Sequence, residues 1–554
     1  MKGLINSQNH LILKSRAIFL KYGPYIVACF LILPFLYYLY AIKTYVPGTD
    51  ETYQIEAAIR ILNGFGNTFS WTPDNDLSVS NFSFQNAWPI GYSSLLASLL
   101  FIGLPLQYAL KLLKISILLT SIFTWIRVSD YYIKNIWFKI IFSGFASVYI
   151  VKYSSSVTDM VIILFLSILS ILLLVRNDYD TSNRLSVLQN IMISPIMIGL
   201  LIGIAILFKF SGIFLAASCA FWILFMTNST RKNSISNLIK YLIPVTLFIA
   251  STLFFQQYQN TIAYAIENRE YINNIPFFYD GWFDDIFNAV FQSTYLEPLM
   301  GKVISDTSGN FLRIVIFMKL IFFISCFTIL FLLFIKGGRF QKLSFWIIIN
   351  YVVLAIFLKV VSSLFFEDIS QWLPLKEGRF YWPVFLFFPM GMLIILEPKW
   401  NILSTVYKAT ITLGIMISIF IGICLYSDYK YDQYSELNAE MPLLKLELEK
   451  LIREDTNPII FSDDINWKLY PFRGKYNVFL RPPMNNTNFY FSKETMVIMI
   501  TSTNKYLSPG HDTKINNDHD IFQKTAKVQR FNRIKVGEYT TIFWKEYPAG
   551  SSFN

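Results

Sequence analysis

The sequence predicts a polytopic α-helical membrane protein of about eleven transmembrane helices, with a small α/β domain at its C-terminal end. Of its 554 residues, 54% are hydrophobic and only 15% are charged, whereas soluble proteins keep about 25% of their residues charged. Apolar runs of roughly 17–25 residues, the length that crosses a bilayer, recur as far as Tyr426. The chain then becomes polar, and no spanning run follows.

The charge distribution predicts how the chain is oriented. The net charge is +11, from 47 Lys and Arg against 36 Asp and Glu. In a membrane protein this excess first indicates basic cytoplasmic loops rather than nucleic-acid binding. The N-terminal segment is basic and carries no acid, and the clusters "TRKNSISNLIK" and "KGGRFQK" are predicted cytoplasmic turns. We therefore expect a cytoplasmic N-terminus, a retained first helix and an extracytoplasmic C-terminal domain.

Cysteine and histidine usage excludes several kinds of site. The four cysteines all lie in apolar runs and form no CxxC pair, so neither a disulfide framework nor a thiolate metal site is expected. The three histidines are His10, His511 and His519, so a histidine-based metal or catalytic site is not predicted either.

Eleven apolar runs are predicted to span the membrane. In chain order they cover residues 25–42, 106–126, a stretch ending near 153, 160–175, 191–207, 213–226, 241–255, 311–335, 345–361, 381–396 and 402–426. The apolar piece 90–104 is not among them. If Arg127 is cytoplasmic and both Asp50 and Asp159 are outside, an odd number of crossings must separate Trp88 from Arg127. Residues 90–104 are therefore predicted to be re-entrant or interfacial.

The chain is predicted to form two domains. Residues 1–426 form the transmembrane domain, with outer loops at 44–89 and 256–310, and residues 427–554 form the α/β domain. In the latter, "LNAEMPLLKLELEKLIRED" has the leucine spacing of an amphipathic helix. Four apolar segments bounded by turn residues predict strands: "NPIIFSDD", "KYNVFLRP", "ETMVIMITS" and "YTTIFWKEY".

Several segments, taken in order, resemble a known superfamily. They are "GTDETYQIEAAIRILNG", "WPIGYSSLLASLL", "VTDMVIILFLSILSILLL", "GLLIGIAILFKFSGIFL", "EGRFYWPVFLFFPMGML" and "PIIFSDDINWKLYPFRGKYNVFLRPP". Together they resemble GT-C integral membrane glycosyltransferases, in particular bacterial lipopolysaccharide-modifying aminoarabinose transferases and protein mannosyltransferases. "WPIGY" lacks the double proline common in that group, and the match selects no single subfamily.

The resemblance implies an activity. Such an enzyme moves a hexose or pentose from a polyprenyl-phosphate carrier to an acceptor hydroxyl, with inversion, on the outer face of the bacterial cytoplasmic membrane. This places the protein in cell-envelope glycan or lipid modification, with membrane lipids and a lipid, glycan or protein acceptor as partners. The sugar and the acceptor stay open. The alternative is a polysaccharide or lipid transporter or polymerase without a catalytic base in the first loop.

Three acids are candidate catalytic residues. An acceptor hydroxyl must lose its proton as it attacks the anomeric carbon, and a carboxylate can accept that proton. The resemblance implies this role for Asp50, while Glu51 could orient the acceptor or a metal. Asp159 occupies the second acidic position of the family. Each has a structural alternative: Asp50 or Asp159 could cap the helix that follows, and Glu51 suits a helix N-terminus.

Three cations are candidate donor-phosphate ligands, because a leaving phosphate is stabilised by positive charge. Lys209 interrupts the apolar run "AILFKFSGIFL", and the alternative is a snorkelling lysine at a tight outer turn. Arg379 and Lys376 precede an apolar helix, and the alternative for Arg379 is an interfacial anchor.

No cofactor is predicted, and metal dependence is left open. The acidic positions could hold a divalent metal, as they do in some members of the family. The pair Asp463 and Asp464 could do the same, although a turn or a helix cap is the simpler interpretation. The chain has no GxGxxG signature, and its acidic candidates lie on the predicted outer side, where nucleotide sugars are normally absent. Both observations favour a lipid-linked donor.

Overall fold

A computed structural model describes most of the predicted helices and strands. The described residues are 49–69, 76–78, 83–84, 89–152, 157–179, 194–226, 231–258, 290, 309–365, 381–402, 407–408, 410–415, 440, 442–453, 457–462, 469, 472, 475–480, 489–502, 512–538 and 540–553. The chain divides into two compact units. The helical unit comprises Met1–Tyr37 and Ile115–Ile423, and the α/β unit comprises Tyr38–Lys114 and Cys424–Asn554. The segment Tyr38–Lys114, which was predicted as part of the transmembrane domain, thus groups with the C-terminal segment.

Helices account for most of the described residues. In chain order they are α1 (Thr49–Leu62), α2 (Ile90–Phe101), α3 (Leu106–Tyr132), α4 (Ile136–Lys152), α5 (Val157–Tyr179), α6 (Pro195–Phe208), α7 (Gly212–Phe225), α8 (Arg231–Tyr258), α9 (Gly309–Lys336), α10 (Gly338–Phe365), α11 (Trp382–Phe385), α12 (Phe387–Ile402), α13 (residues 442–451) and α14 (Asp512–Val528). The first two belong to the α/β unit, and α3 begins there and continues into the helical unit.

Five described helical segments are long and apolar enough to cross a membrane. They are Leu106–Tyr132, Asn233–Thr252, Ile314–Lys336, Gly338–Val360 and Pro383–Trp400. The predicted fold class, a polytopic helical membrane protein with a small C-terminal α/β domain, is therefore confirmed. The predicted first span, 25–42, and most of the last, 402–426, lie outside the described residues, so the count of about eleven stays a prediction.

Two local predictions meet different outcomes. The stretch 90–104 contains α2, whose 12 residues extend about 18 Å at 1.5 Å per residue. That length cannot cross a hydrocarbon core of about 30 Å, which agrees with the predicted re-entrant or interfacial piece.

The cluster "TRKNSISNLIK" was wrongly predicted as a turn, because α8 already begins at Arg231. Its Lys and Arg residues occupy the first turns of a helix.

Small residues allow close packing between α6 and α8. Gly199 and Gly203 are spaced as in GxxxG, and both lie on the buried side of α6. A Cβ at Gly199 would overlap the backbone of Tyr241, and one at Gly203 would overlap the ring of Phe248. Close backbone approach through glycines is a common way for membrane helices to associate.

A tight connection joins α9 and α10 within "KGGRFQK". Only Gly337 separates the two helices. Gly337 and Gly338 both have positive φ angles, of 71° and 54°, which glycine adopts without steric cost. The predicted turn is confirmed, and it is shorter than the motif.

The α/β unit contains a five-stranded mixed sheet. Its strands are β3 (Pro458–Ser462), β4 (Asn477–Leu480), β6 (Thr495–Ser502), β7 (Asn532–Val536) and β8 (Thr540–Tyr547), in the spatial order β4-β3-β6-β8-β7. The first two pairings, β4 with β3 and β3 with β6, are parallel. The pairings of β6 with β8 and of β8 with β7 are antiparallel. Four of these strands were predicted, and β7 and α14 were not.

Both faces of this sheet are covered. On one face, Ile460 and Ile498 pack in a cluster with Leu444 and Leu448 of α13. On the other face, alternate strand residues pack with Phe522 of α14. This second cluster also includes Leu77, a buried residue of the first outer loop. The side chain of Leu77 thereby fixes part of that loop to the C-terminal core.

The unit also contains two short antiparallel strand pairs. They are β1 (Thr68–Phe69) with β2 (Ser83–Phe84), and β5 (Phe489–Tyr490) with β9 (Ser552–Phe553).

Candidate active site

Helix α1 carries the acidic pair at its start. It begins at Thr49, so Asp50 and Glu51 are its second and third residues. The alternative interpretation of Asp50 as the N-cap is therefore wrong, because Asp50 already belongs to the first turn. Negative charge in a first turn is stabilised by the helix dipole. The helix ends at Leu62, and Gly64 follows with a φ angle of 82°, the left-handed conformation in which glycine commonly terminates a helix.

The polar side chains of α1 are unusually buried. Glu51 is 3% exposed, Glu56 is 0% exposed and Arg60 is 2% exposed. Burying charged groups is costly unless each is paired or hydrogen-bonded. A short helix outside the predicted spans that nonetheless buries three ionisable residues is a candidate functional site.

Helix α2 contacts α1 through two adjacent residues. The hydroxyl of Tyr92 donates a hydrogen bond to Glu51 Oε1 at 2.8 Å, and both side chains are buried. The hydroxyl of Ser93 donates to the carbonyl oxygen of Gln54 at 3.1 Å. Because Glu51 and Gln54 are three residues apart, they lie on one face of α1. Tyr92 and Ser93 thus fix the turn that begins with Asp50.

A buried ion pair lies one turn further along α1. Arg60 Nε and Nη2 both donate to Glu56 Oε1, each at 3.2 Å. Burial lowers the pKa of the Arg60 guanidinium below its ordinary value, and the Glu56 carboxylate opposes that effect. The two charges neutralise each other inside the unit, so removing either would leave the other buried without this partner.

A second polar cluster joins the first outer loop to the C-terminal segment. Asp76 Oδ1 accepts hydrogen bonds from the backbone N–H of Ser78 at 3.0 Å and of Ser492 at 3.1 Å. The Ser78 hydroxyl also donates to Asp76, and it lies 2.9 Å from the Ser492 hydroxyl. Desolvation acts to raise the pKa of Asp76, but the hydrogen bonds from Ser492 and Ser78 prevail and lower it to about 2.

This cluster predicts a pH-dependent attachment of the loop. Since the folded pKa of Asp76, about 2, lies below the ordinary 3.8, ionised Asp76 stabilises the folded state above about pH 4, and this contribution is lost as the pH falls towards 2. We expect Asp76→Asn to exchange backbone hydrogen around Leu77 and Ser492 faster than wild type at pH 6. The difference in exchange rate between the variant and the wild type should be smaller at pH 3. Hydrogen exchange with mass spectrometry measures both; an equal difference at both pH values would contradict the assigned role.

Asp159, the third catalytic candidate, lies inside a helix rather than at its cap. Helix α5 begins at Val157, so Asp159 is its third residue and Thr158 its second. Neither residue is therefore the N-cap, which corrects the structural alternative for Asp159. An acid in a first turn is again favourable to the helix dipole. Asp159 belongs to the helical unit, whereas Asp50 and Glu51 belong to the α/β unit.

Of the three predicted cations, the structure describes one. Lys209 follows the last residue of α6 in extended conformation and is partly buried. The backbone N–H of Gly212 donates to the Lys209 carbonyl at 2.8 Å, which forms the tight turn expected between the two short helices. Lys376 and Arg379 lie outside the described residues.

Several polar residues that the structure brings into buried positions were missed from the sequence. Three of them are Tyr92, Glu56 and Arg60. Lys359 of α10 is 1% exposed and follows Gly338 by 21 residues, or about 32 Å of helix. It therefore lies near the far end of a span of about 30 Å rather than at its middle. The i,i+4 spacing of Glu56 and Arg60 is a helical pairing signal that could have been recognised.

The described residues contain no group of three or more His, Cys, Asp or Glu side chains that could hold a metal ion. Asp463 and Asp464 lie outside the described ranges. Metal dependence thus stays open, as it was from the sequence.

Comparison with known proteins gives structural likenesses, among them two forms of one protein. No protein-family model and no curated protein matches the chain. The crystal structure of ArnT from Cupriavidus metallidurans bound to undecaprenyl phosphate is 12% identical, with a TM-score of 0.47, and the match covers 94% of this chain and 97% of that chain. The apo form of the same protein is 10% identical, with a TM-score of 0.39 and the same coverage. Both TM-scores lie below 0.5, so the function proposed below is drawn from the residues of this chain.

Taken together, fold and site define a class: a helical membrane protein whose α/β unit includes a buried helix with an acidic first turn.

Proposed function

We propose that the protein is a glycosyltransferase of the GT-C type, in the bacterial cytoplasmic membrane with its α/β unit outside. It moves a sugar from a polyprenyl-phosphate carrier to an acceptor hydroxyl. Asp50 accepts the proton of that hydroxyl, and Glu51 orients the acceptor. We also propose Asp159 as a second catalytic acid, and Lys209, Lys376 and Arg379 as the cations that stabilise the leaving phosphate.

Helix α1 is the observation that supports this proposal most. A general base must be held at a fixed position while the acceptor approaches. The helix meets that requirement, because Tyr92 and Ser93 attach its first two turns to α2 while the buried Glu56–Arg60 pair lies within its second half. A helix that served only to connect two spans would not require these buried contacts.

Transfer by the purified wild-type protein in detergent tests the proposal. Radiolabelled undecaprenyl-phosphate sugars are supplied as donors, one at a time, with a crude envelope fraction as acceptor. We expect label to move from the lipid carrier into the acceptor fraction for at least one donor. Folded protein that moves no label from any hexose or pentose donor would contradict the proposal and favour the transporter alternative.

A further inference from the structure

We propose that Tyr92 is a positioning residue that assigns different roles to the two neighbouring acids: it holds Glu51 in place, and this fixes the turn from which Asp50 acts. The inference rests on the proposed function and extends it to a residue outside the acidic motif.

The contact between Tyr92 and Glu51 is specific and buried. The phenol oxygen lies 2.8 Å from Glu51 Oε1, and the two residues are separated by 41 positions along the chain. A hydrogen bond to a charged group is stronger than one between neutral groups, and breaking a buried one leaves its partner poorly satisfied. Tyr92 is fully buried on the first turn of α2, so its ring has little freedom to move away from Glu51.

The neighbouring contact gives the attachment two points. Ser93 binds the carbonyl oxygen of Gln54, one turn after Glu51. Two attachments three residues apart on one face restrain both the position of α1 and its rotation about its own axis. A turn held in this way also fixes the backbone position of Asp50, which follows Thr49 in α1. Tyr92 thereby holds one acid, and the proposal gives the other the role of base.

A single oxygen atom can be removed to test this role. In Tyr92→Phe we expect kcat for sugar transfer to fall about 10- to 100-fold, because small displacements of a reacting group are that costly. The KM for the lipid-linked donor should change less than about twofold, since Tyr92 does not contact the donor in this proposal. In a Glu51→Ala background, which has no acceptor for the Tyr92 hydroxyl, the same change should cost much less, because the two residues act as one unit.

Tyr241→Phe is the matched control. Tyr241 is also a buried tyrosine, and its hydroxyl donates to the carbonyl oxygen of Ala216 at 2.8 Å within the helical unit. The Tyr241→Phe variant should lose about as much thermal stability as the Tyr92→Phe variant, but its kcat per folded molecule should stay at the wild-type value. Ser93→Ala, which leaves Glu51 untouched, should lower kcat by a smaller factor than Tyr92→Phe.

The outcomes separate the inference from the function. If Asp50→Asn is inactive while Tyr92→Phe keeps the wild-type kcat, the positioning role is wrong and the transferase stands. If Tyr92→Phe loses activity only in proportion to its folded fraction, as Tyr241→Phe would, the role is merely structural and the inference fails. If wild type transfers no sugar, the function falls and the inference falls with it.

Discussion

Asp50→Asn should abolish most sugar transfer while leaving the protein folded. The amide has nearly the shape of the carboxylate but cannot accept the proton of an attacking hydroxyl. A positioned general base typically contributes about 10²–10⁴-fold to the rate, so we expect kcat to fall by that factor. The KM for the donor should change little, because the lost interaction is made in the transition state. Steady-state transfer with the best donor measures both parameters.

Asp130→Asn is a suitable control for this substitution. Asp130 is also a helical aspartate, and it forms an ion pair at 2.8 Å between the C-terminal end of α3 and Lys139 of α4. It lies on the predicted cytoplasmic side, so its loss should leave kcat within about twofold of wild type. Equal transfer by wild type and Asp50→Asn would remove Asp50 as the base, even if the protein proved to be a transferase.

Glu56→Ala should strongly destabilise the protein. It leaves the Arg60 guanidinium buried without the carboxylate that now lies 3.2 Å away. Breaking a buried ion pair by removing one partner costs about 3–5 kcal/mol. We expect a marked fall in the thermal midpoint of the purified protein in detergent, with loss of activity following the loss of folded protein.

Two comparisons isolate the effect of burial. Glu447→Ala removes an acid from the exposed Lys450–Glu447 pair, which has a 2.6 Å contact, and should cost only about 0–1 kcal/mol. The double change Glu56→Leu with Arg60→Met removes both buried charges and should recover much of the lost stability. If Glu56→Ala proves no more destabilising than Glu447→Ala, the pair does not carry the energetic role assigned to it.

Much of the fold could be predicted because local patterns encode it. Apolar runs are long where helices cross, and the strands at 458–462 and 495–502 are short apolar segments with turn residues at their ends. Strand β7 was missed because "NRIKV" is largely polar and exposed, so it lacks the signal of a buried strand. Helix boundaries are predicted less well than helices: α5 begins two residues before Asp159, and α8 begins within a basic cluster that the charge pattern predicts as a turn.

The site was only partly predictable for a different reason. Asp50 and Glu51 could be chosen because they form part of a recognisable segment. The contacts that hold them could not, because Tyr92 meets Glu51 across 41 residues and Ser492 meets Asp76 across 416. No periodicity in a single sequence specifies such pairs. The contact at Glu51 depends on how α1 and α2 pack together, and the contact at Asp76 depends on how the first outer loop packs onto the C-terminal sheet, where Leu77 enters the core.

The fate of the lipid carrier tests the central claim most directly. Purified protein is incubated with the donor that supports transfer, and undecaprenyl phosphate is quantified by mass spectrometry beside the labelled product. A transferase releases one carrier molecule for each sugar that appears in the acceptor, and Asp50→Asn should release almost none. Sugar lipid that is moved or consumed by the wild type without equivalent release of undecaprenyl phosphate would contradict the account.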